Sequence, residues 1–319
     1  MTSDRSAADP GVPPLPSADD PPGSPEGEHP DEAAPGERPR ADRRRGLVIL
    51  QLLLPALVVV GVFLVPPVLS ILAGSVLQEK QELSAPNLRN YLRFVADAYY
   101  LRTLAFTLKV SLVTTLWALV LGYLIAFHLV RSIRSPFLRR VIYLIVVAPL
   151  FTSAIVRSFG WMVSLGNAGF INRTLLGLGI IDSPIRLIFN ETGIVIGLTH
   201  ILLPFMVLSI ASVLQGIDQT LEEAAMDLGA SRAVTFLTVT LPLSLPGVVA
   251  GSLIVFTLAM SSYVTPAVLS GGRLKVVPML IYEQYVSVFD WGFGAAMSIV
   301  LLALTLAITV LYTRLLRTV

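Results

Sequence analysis

The feature that most limits the fold of this chain is a series of nearly uncharged apolar runs, each long enough to cross a bilayer. A helix needs about 20 apolar residues to span the hydrocarbon core. We predict spans within residues 46–77, 104–130, 141–165, 192–214, 247–269 and 291–312. Charged residues make up 14% of the chain, against about 25% in soluble domains. The sequence therefore predicts an all-α integral membrane protein with six transmembrane helices.

Residues 1–45 differ from the rest because they are rich in Pro, Asp, Glu, Gly and Ala and show no apolar periodicity. Such a composition buries too little apolar surface to fold alone, so we expect a disordered tail. The tail ends in Arg43-Arg44-Arg45, directly before the first span. The predicted organisation is a tail over 1–45 and a six-span domain over 46–319.

Basic residues predict the orientation of the spans, because short cytoplasmic loops are enriched in Lys and Arg. The connection between spans two and three and the C-terminus carry Arg131, Arg134, Arg139, Arg140, Arg314 and Arg317. The connection 78–103 also has basic residues, so the predicted orientation depends on the density of basic residues in each connection and not on their complete absence from one side. We expect both termini to be cytoplasmic, in a plasma or inner membrane.

Several chemistries are excluded or disfavoured. The chain has no cysteine, which rules out disulfides and thiolate metal sites. It has no phosphate-binding loop of the GxxxxGK[ST] type and no metal-ligand spacing. We expect no catalytic residues, no metal, no cofactor and no enzyme activity in this chain itself. The basic residues lie in short loops, so the expected surroundings are membrane lipid and not nucleic acid.

The connection between spans four and five, about 216–242, has its own helical signals. Thr220 and Glu223 have the spacing of a capping box, and Gly229 is placed to end the helix in a left-handed conformation. Ser231 could cap a second short helix that Leu241-Pro242 would stop. A solvated connecting helix is the simpler alternative, but the alanine pair and the length of the connection favour a helix–turn–helix elbow that contacts another protein.

The same residues carry a resemblance to a known family. Glu223-Ala224-Ala225, Gly229, Val239 and Leu241-Pro242 resemble the EAA motif of bacterial ABC importer permeases. That pattern is E-A-A, three residues, G, nine residues, an aliphatic that is usually Ile, one residue, and L-P. Only the aliphatic differs here. The motif is long and lies between the predicted spans where the family has it.

The resemblance implies that the elbow is a coupling helix that docks into a groove of a cytoplasmic ATPase subunit. The residues expected in this contact are Glu223, Ala224, Ala225 and Gly229, with Asp227, Ala230, Ser231 and Arg232 as neighbours. The implied partners are two cytoplasmic ABC ATPase subunits, a second permease, paralogous in preference to identical, and an extracytoplasmic solute-binding protein.

Two groups of polar residues in the spans are candidates for the translocation path. Arg157 lies within the third span, where a charge usually faces a cavity or the bundle interior. Alternatively it extends toward the outer headgroups. Pro266 should break the fifth span, and broken helices often mark substrate sites. The hydroxyl candidates near it are Ser261, Ser262, Tyr263 and Thr265, which could instead satisfy backbone groups freed by the proline.

Three further segments, 153–161, 261–278 and 290–296, resemble spermidine/putrescine permeases. This resemblance implies a polyamine as solute. Glu283 and Asp290, with Tyr282, Tyr285 and Trp291, would suit an outer vestibule for an organic cation. Related permeases serve opines, thiamine and ferric ion. An ion channel or secondary carrier is the alternative function, and a membrane scaffold is another. Neither needs an elbow that binds an ATPase.

Overall fold

The computed structural model describes residues 53–79, 82–83 and 86–317. The predicted tail over 1–45, with its three arginines, lies outside these residues. The chain divides into two compact units, Met1–Val60 and Gly61–Val319. The first is described only over residues 53–60, which are helical. Apart from the candidate span that begins at Leu53, the helices, contacts and sites described below belong to the second unit.

The second unit is helical over most of its described length. In chain order its α-helices are α1 Val65–Leu77, α2 Arg89–Ala96, α3 Ala98–Phe127, α4 Pro136–Val147, α5 Ala154–Leu165, α6 Phe170–Gly177, α7 Glu191–Gly216, α8 Gln219–Asp227, α9 Arg232–Thr235, α10 Leu241–Met260, α11 Val264–Ser270, α12 Val277–Glu283 and α13 Trp291–Arg317. Two-residue strands β1 (Gln78–Glu79) and β2 (Glu82–Leu83) pair antiparallel between α1 and α2.

Helices with the length and hydropathy of membrane spans agree with five of the six predicted ones. Within the described residues they are Leu53–Leu77, Ala98–Ser132, Glu191–Gly216, Arg232–Met260 and Trp291–Arg314. The structure thus supports a multi-pass, all-helical membrane protein. The sixth span depends on how the segment between α3 and α7 is counted.

The predicted third span, 141–165, is not one straight helix. The stretches Pro136–Phe151 and Ala154–Gly177 meet at a bend of 103° and make a sixth span only if taken together. Pro149 lies in a 3₁₀ turn at the bend, Thr152 is extended, and the Ser153 side chain caps α5 by accepting from Ile155 N at 3.3 Å. Apolar composition predicted the span, but these local signals break it.

Two proline predictions were wrong in their position. Leu241-Pro242 does not stop the second elbow helix, because a π-helical turn over Phe236–Thr240 precedes it and the helix continues to Met260. Leu241 N donates to Phe236 O in this widened turn, so the proline ring fits without ending the helix. The break in the fifth span comes at residues 261–263, before Pro266. Pro266 lies in the first turn of α11, where no backbone donor is required.

Helix α7 is the centre of the main core. Its side chains Met206, Ile210 and Leu214 are fully buried in a cluster shared with α3 and α10. The neighbouring helices approach Met206 through glycines: a Cβ at Gly122 would lie 2.7 Å from Met206 Cγ, and one at Gly251 would lie 2.8 Å from its Sδ. Small residues at such crossings let helices in lipid pack closely. The elbow therefore starts from the most tightly held helix.

We expect Gly122→Val to destabilise the fold by about 1–3 kcal/mol, because the added side chain overpacks the Met206 contact. Gly160→Val is the matched control, since no atom lies within 4 Å of a Cβ built at Gly160. Thermal unfolding of the two variants in the same detergent measures the difference. Equal midpoints for both would contradict the close α3–α7 crossing.

Candidate functional site: the elbow and the broken helices

The first elbow helix, α8, begins two residues earlier than the capping box predicted. Asp218 is the N-cap, and its carboxylate accepts from Thr220 N at 3.0 Å. The predicted roles of Thr220 as cap and of Glu223 as its reciprocal partner were therefore wrong. A carboxylate at this position also faces the positive end of the helix dipole. The hydrogen bonds from Thr220 hold the pKa of the Asp218 carboxyl below its usual range.

The end of α8 is fixed by a Schellman motif. Ala230 N donates to Ala225 O at 3.1 Å, and Gly229 N donates to Met226 O at 2.9 Å. Gly229 has a φ of +92°, so the predicted left-handed helix end is confirmed. The predicted cap of the second helix is also confirmed, because Ser231 accepts from Val234 N at 3.4 Å.

A salt bridge that the sequence analysis missed ties the elbow to the bundle. Arg131, in the π-helical turn after α3, lies 3.0 Å from Glu222 Oε1, and both side chains are largely buried. Thr240 donates to the same oxygen at 2.9 Å. Arg131 also donates to Ile217 O at 3.3 Å. These contacts hold the elbow to both helices that flank it and to α3.

The remaining elbow surface is open. Glu223, Ala224, Asp227, Gly229, Ser231 and Arg232 are exposed, and Ala225 and Ala230 are partly exposed. Apolar side chains lie among them: Leu228 is 90% exposed, and Leu221, Met226 and Val234 are 40–49% exposed. We call this set of residues the elbow surface. A mixed surface of small, apolar and charged residues at one end of the helices is typical of a protein-binding site.

The structure places Arg157 on α5, next to the contact between α5 and α11. Its Nε and Nη1 atoms are buried and make no hydrogen bond to any described residue. Ser158, the next residue, donates to Thr265 at 3.1 Å. Among the other buried polar atoms without a described partner are Thr199 Oγ1 and His200 Nδ1 on α7. The ring of His200 packs edge-on against Trp161, 5.3 Å away.

The predicted hydroxyl candidates do not form one cluster. Ser261 donates to Thr257 O and Leu258 O at 3.1 and 3.3 Å, as expected where a helix breaks. Thr265 is buried in the α5–α11 contact. Tyr263 packs against Tyr282, with ring centroids 4.7 Å apart, and Ser262 is partly exposed. Most of these residues therefore help to build the broken helix and its packing.

The predicted carboxylate vestibule for an organic cation is not available in this structure. Asp290 binds Arg93 at 2.8 Å and caps α13 by accepting from Phe293 N at 3.2 Å. The Arg93 guanidinium also stacks over the Phe293 ring, 4.1 Å from its centroid. Glu283 pairs with Lys275, and this hydrogen bond raises the pKa of the Lys275 ammonium. Both carboxylates already neutralise a cation of the same chain.

Comparison with known families decides what this arrangement is. Residues 118–319, well over half of the chain, match the model of the binding-protein-dependent transport system inner membrane component family. The chain belongs to this family. The matched region contains the whole elbow and its anchor, Arg131 and Glu222. The chain is thus the membrane-spanning component of a transport system.

Individual members of the family agree with this assignment. The chain is 38% identical over 214 residues to the "Spermidine/putrescine transport system permease protein PotB" of Salmonella typhimurium and to its namesake in Escherichia coli, covering 67% of this chain and 74% and 77% of those proteins. It is 33% identical over 182 residues to the "Molybdenum transport system permease protein ModB" of Escherichia coli. That match covers 55% of this chain and 76% of that protein.

Solved structures support the fold. A bacterial ABC transporter for import of the acidic polysaccharide alginate contains a chain that superposes with a TM-score of 0.70 at 17% identity, covering 89% of this chain and 99% of that chain. A chain of a bacterial alginate ABC transporter in complex with an alginate pentasaccharide-bound periplasmic protein superposes with a TM-score of 0.72 at 19% identity. That match covers 88% of this chain and 98% of that chain.

We expect Glu222→Ala to loosen the elbow, because it leaves Arg131 as a largely buried charge without its carboxylate. Breaking such a pair costs about 3 kcal/mol. Backbone amides of α8 should then exchange with deuterium faster by roughly two orders of magnitude, since 1.4 kcal/mol is a tenfold factor. Glu223→Ala, at an exposed neighbour, is the matched control. Protection of α8 that is the same in both variants would show that the pair does not hold the elbow.

Proposed function

We propose that this chain is one of two permease subunits of an ATP-driven importer and that its solute is a polyamine of the spermidine/putrescine class. The elbow surface is the observation that carries the ATP-driven mechanism. The solute class is supported by the relatives at 38% identity that are named as spermidine/putrescine permeases. A second permease subunit, paralogous in preference to identical, and an extracytoplasmic binding protein complete the proposed importer.

The elbow surface docks on a separate cytoplasmic ATPase subunit in this proposal. Glu223, Ala224, Ala225 and Gly229 form the centre of the contact, and Asp227, Ala230, Ser231 and Arg232 form its edge. The small residues permit close approach, and exposed Leu228 supplies an apolar anchor. The Arg131–Glu222 bridge then transmits displacement of the elbow to α3 and α10. The elbow end of the spans, with both chain termini, is cytoplasmic.

The translocation path of the proposed importer runs near the α5–α11 contact. Arg157 and the hydroxyls of Ser261, Ser262, Tyr263 and Thr265 remain its candidate residues. The partnerless atoms of Arg157 favour a role at a cavity or at the second permease, because two buried guanidinium nitrogens without hydrogen-bond partners are costly within one chain. Ser261 supports the path by stabilising the helix break, and Thr265 supports it through the contact between α5 and α11.

The contact with the ATPase is tested by Leu228→Asp. Leu228 is 90% exposed, so the change should not affect folding, but a carboxylate cannot enter an apolar groove without loss of binding. We expect the ATPase subunit to co-purify with the wild-type chain in nanodiscs and to be lost by tenfold or more in the variant. Leu178→Asp is the matched control, because Leu178 is 67% exposed and follows α6, away from the elbow. Full retention in Leu228→Asp would contradict docking through the elbow.

Gly229→Val tests the coupling itself. A β-branched residue is strained at a φ of +92°, so the end of α8 should shift while the spans stay intact. Uptake of labelled spermidine by the reconstituted importer should fall about tenfold or more, with membrane insertion unchanged. Gly216→Val is the control, since Gly216 ends α7 without a positive φ and has no atom near its Cβ position. Uptake that stays normal in Gly229→Val would contradict the coupling role.

Wild-type uptake of molybdate and not of spermidine would overturn the proposed solute and leave the elbow result intact.

A further inference from the structure

The end of the spans opposite the elbow carries a cavity of about 1160 Å³ that the proposed function does not yet use. Helix α7 has 26 residues and separates the two ends by roughly 39 Å at 1.5 Å per residue. Arg173 from α6, Arg186 from the connection before α7, and Arg273 from the loop after α11 line this cavity. We call it the arginine cavity.

Two of the three arginines are held in place by one buried asparagine. The side chain of Asn172 donates to Gly166 O at 3.1 Å and to Ile185 O at 2.9 Å, and it accepts from Ile185 N at 2.9 Å. Arg173 directly follows Asn172, and Arg186 directly follows Ile185. These hydrogen bonds therefore join the two backbone segments that carry Arg173 and Arg186.

The third arginine, Arg273, lies beside a residue with a strained backbone. Phe189 has a φ of +60°, its N–H donates to Leu269 O at 3.0 Å, and its ring lies so close to Gly271 that a Cβ there would be 2.5 Å from Phe189 Cδ1. The Arg273 guanidinium lies 5.8 Å from the centre of this ring. A bulky residue with positive φ persists only where its surroundings enforce it, and such strain concentrates at ligand-binding sites.

The three guanidinium groups are exposed, and none forms an ion pair within the described part of the chain. Other bases at this end do pair: Lys109 binds Glu191 at 2.8 Å, and Lys275 binds Glu283. Asp182, on the same connection as Arg186, is exposed and likewise forms no ion pair with a described residue. Three exposed arginines that form no ion pair with a described residue are therefore grouped around one cavity.

We propose that the arginine cavity receives acidic side chains of the extracytoplasmic solute-binding protein. This inference rests on the proposed importer function and deepens it. Guanidinium groups bind carboxylates through paired hydrogen bonds, and a positive concavity attracts an acidic partner from a distance. A polyamine would be repelled by the same charges, so the cavity excludes the proposed solute and selects the protein that delivers it.

Charge reversal tests the contact. Arg173→Glu, Arg186→Glu and Arg273→Glu are each introduced into the complete importer in nanodiscs, and the Kd of the binding protein encoded with the importer is measured. We expect each change to raise the Kd about tenfold or more, and the wild-type Kd to rise with salt. Arg102→Glu is the matched control, because Arg102 is exposed at the same end and does not line the arginine cavity, although it shares a smaller neighbouring cavity with Arg273. Its Kd should stay within about twofold of wild type if the contact is local.

A cross-link identifies the partner group directly. Arg173→Lys and Arg186→Lys keep the charge and place a primary amine in the cavity. A carbodiimide then activates a contacting carboxylate, and the lysine amine displaces the activating group to form an amide bond. The chain has few competing amines, since its lysines are Lys80, Lys109 and Lys275. We expect a peptide of the binding protein joined through Asp or Glu to the new lysine.

The outcomes separate this inference from the proposed function. If the wild-type importer hydrolyses ATP with its binding protein but charge reversal leaves the Kd unchanged, the arginine cavity is not the docking site and the importer assignment stands. Loss of bound anionic lipid in the variants, with an unchanged Kd, overturns the inference in favour of a headgroup site. If no binding protein associates with the wild-type complex, both the inference and the proposed importer fail.

Discussion

The close packing of α7 against α3 and α10 is the constraint on which the rest of the structure depends. Lipid provides little hydrophobic force between helices, so they associate through close contact at small residues. Glycines on α3 and α10 meet Met206 of α7, and this contact forms the largest buried cluster. The elbow starts at the C-terminal end of α7, and the connection that forms part of the arginine cavity ends at its N-terminus. Both candidate sites are therefore attached to the same rigid helix.

The interruptions of the helices follow from the need to satisfy every backbone group inside a membrane. A 3₁₀ turn and a serine cap close the bend before α5, a π-helical turn absorbs Pro242, and Ser261 accommodates the break before α11. Each break has its own local compensation. The breaks before α5 and before α11 place short helices, and not continuous spans, beside Arg157.

Charges at the two ends of the molecule have two different uses. Arg131–Glu222 and Arg93–Asp290 are internal pairs with at least one buried partner, and they fix elements relative to one another. The exposed charges of the elbow surface and of the arginine cavity have no such partner among the described residues. This division separates residues that hold the fold from residues available to another protein, as the proposed contacts with an ATPase and a solute-binding protein require.

The sequence alone determined the membrane class, five of the spans, the helix–turn–helix elbow and the glycine that ends its first helix. These features depend on composition, periodicity and local hydrogen bonding, which neighbouring residues control. Only the tertiary structure decided that Asp218 replaces Thr220 as the cap, that Glu222 binds Arg131, and that Asp290 and Glu283 are already paired. Residues 91 positions apart, such as Arg131 and Glu222, meet only because α3 and α7 pack side by side. The arginine cavity is likewise decided by tertiary structure, since it joins three segments through the buried Asn172 and through the contact between Phe189 and Gly271.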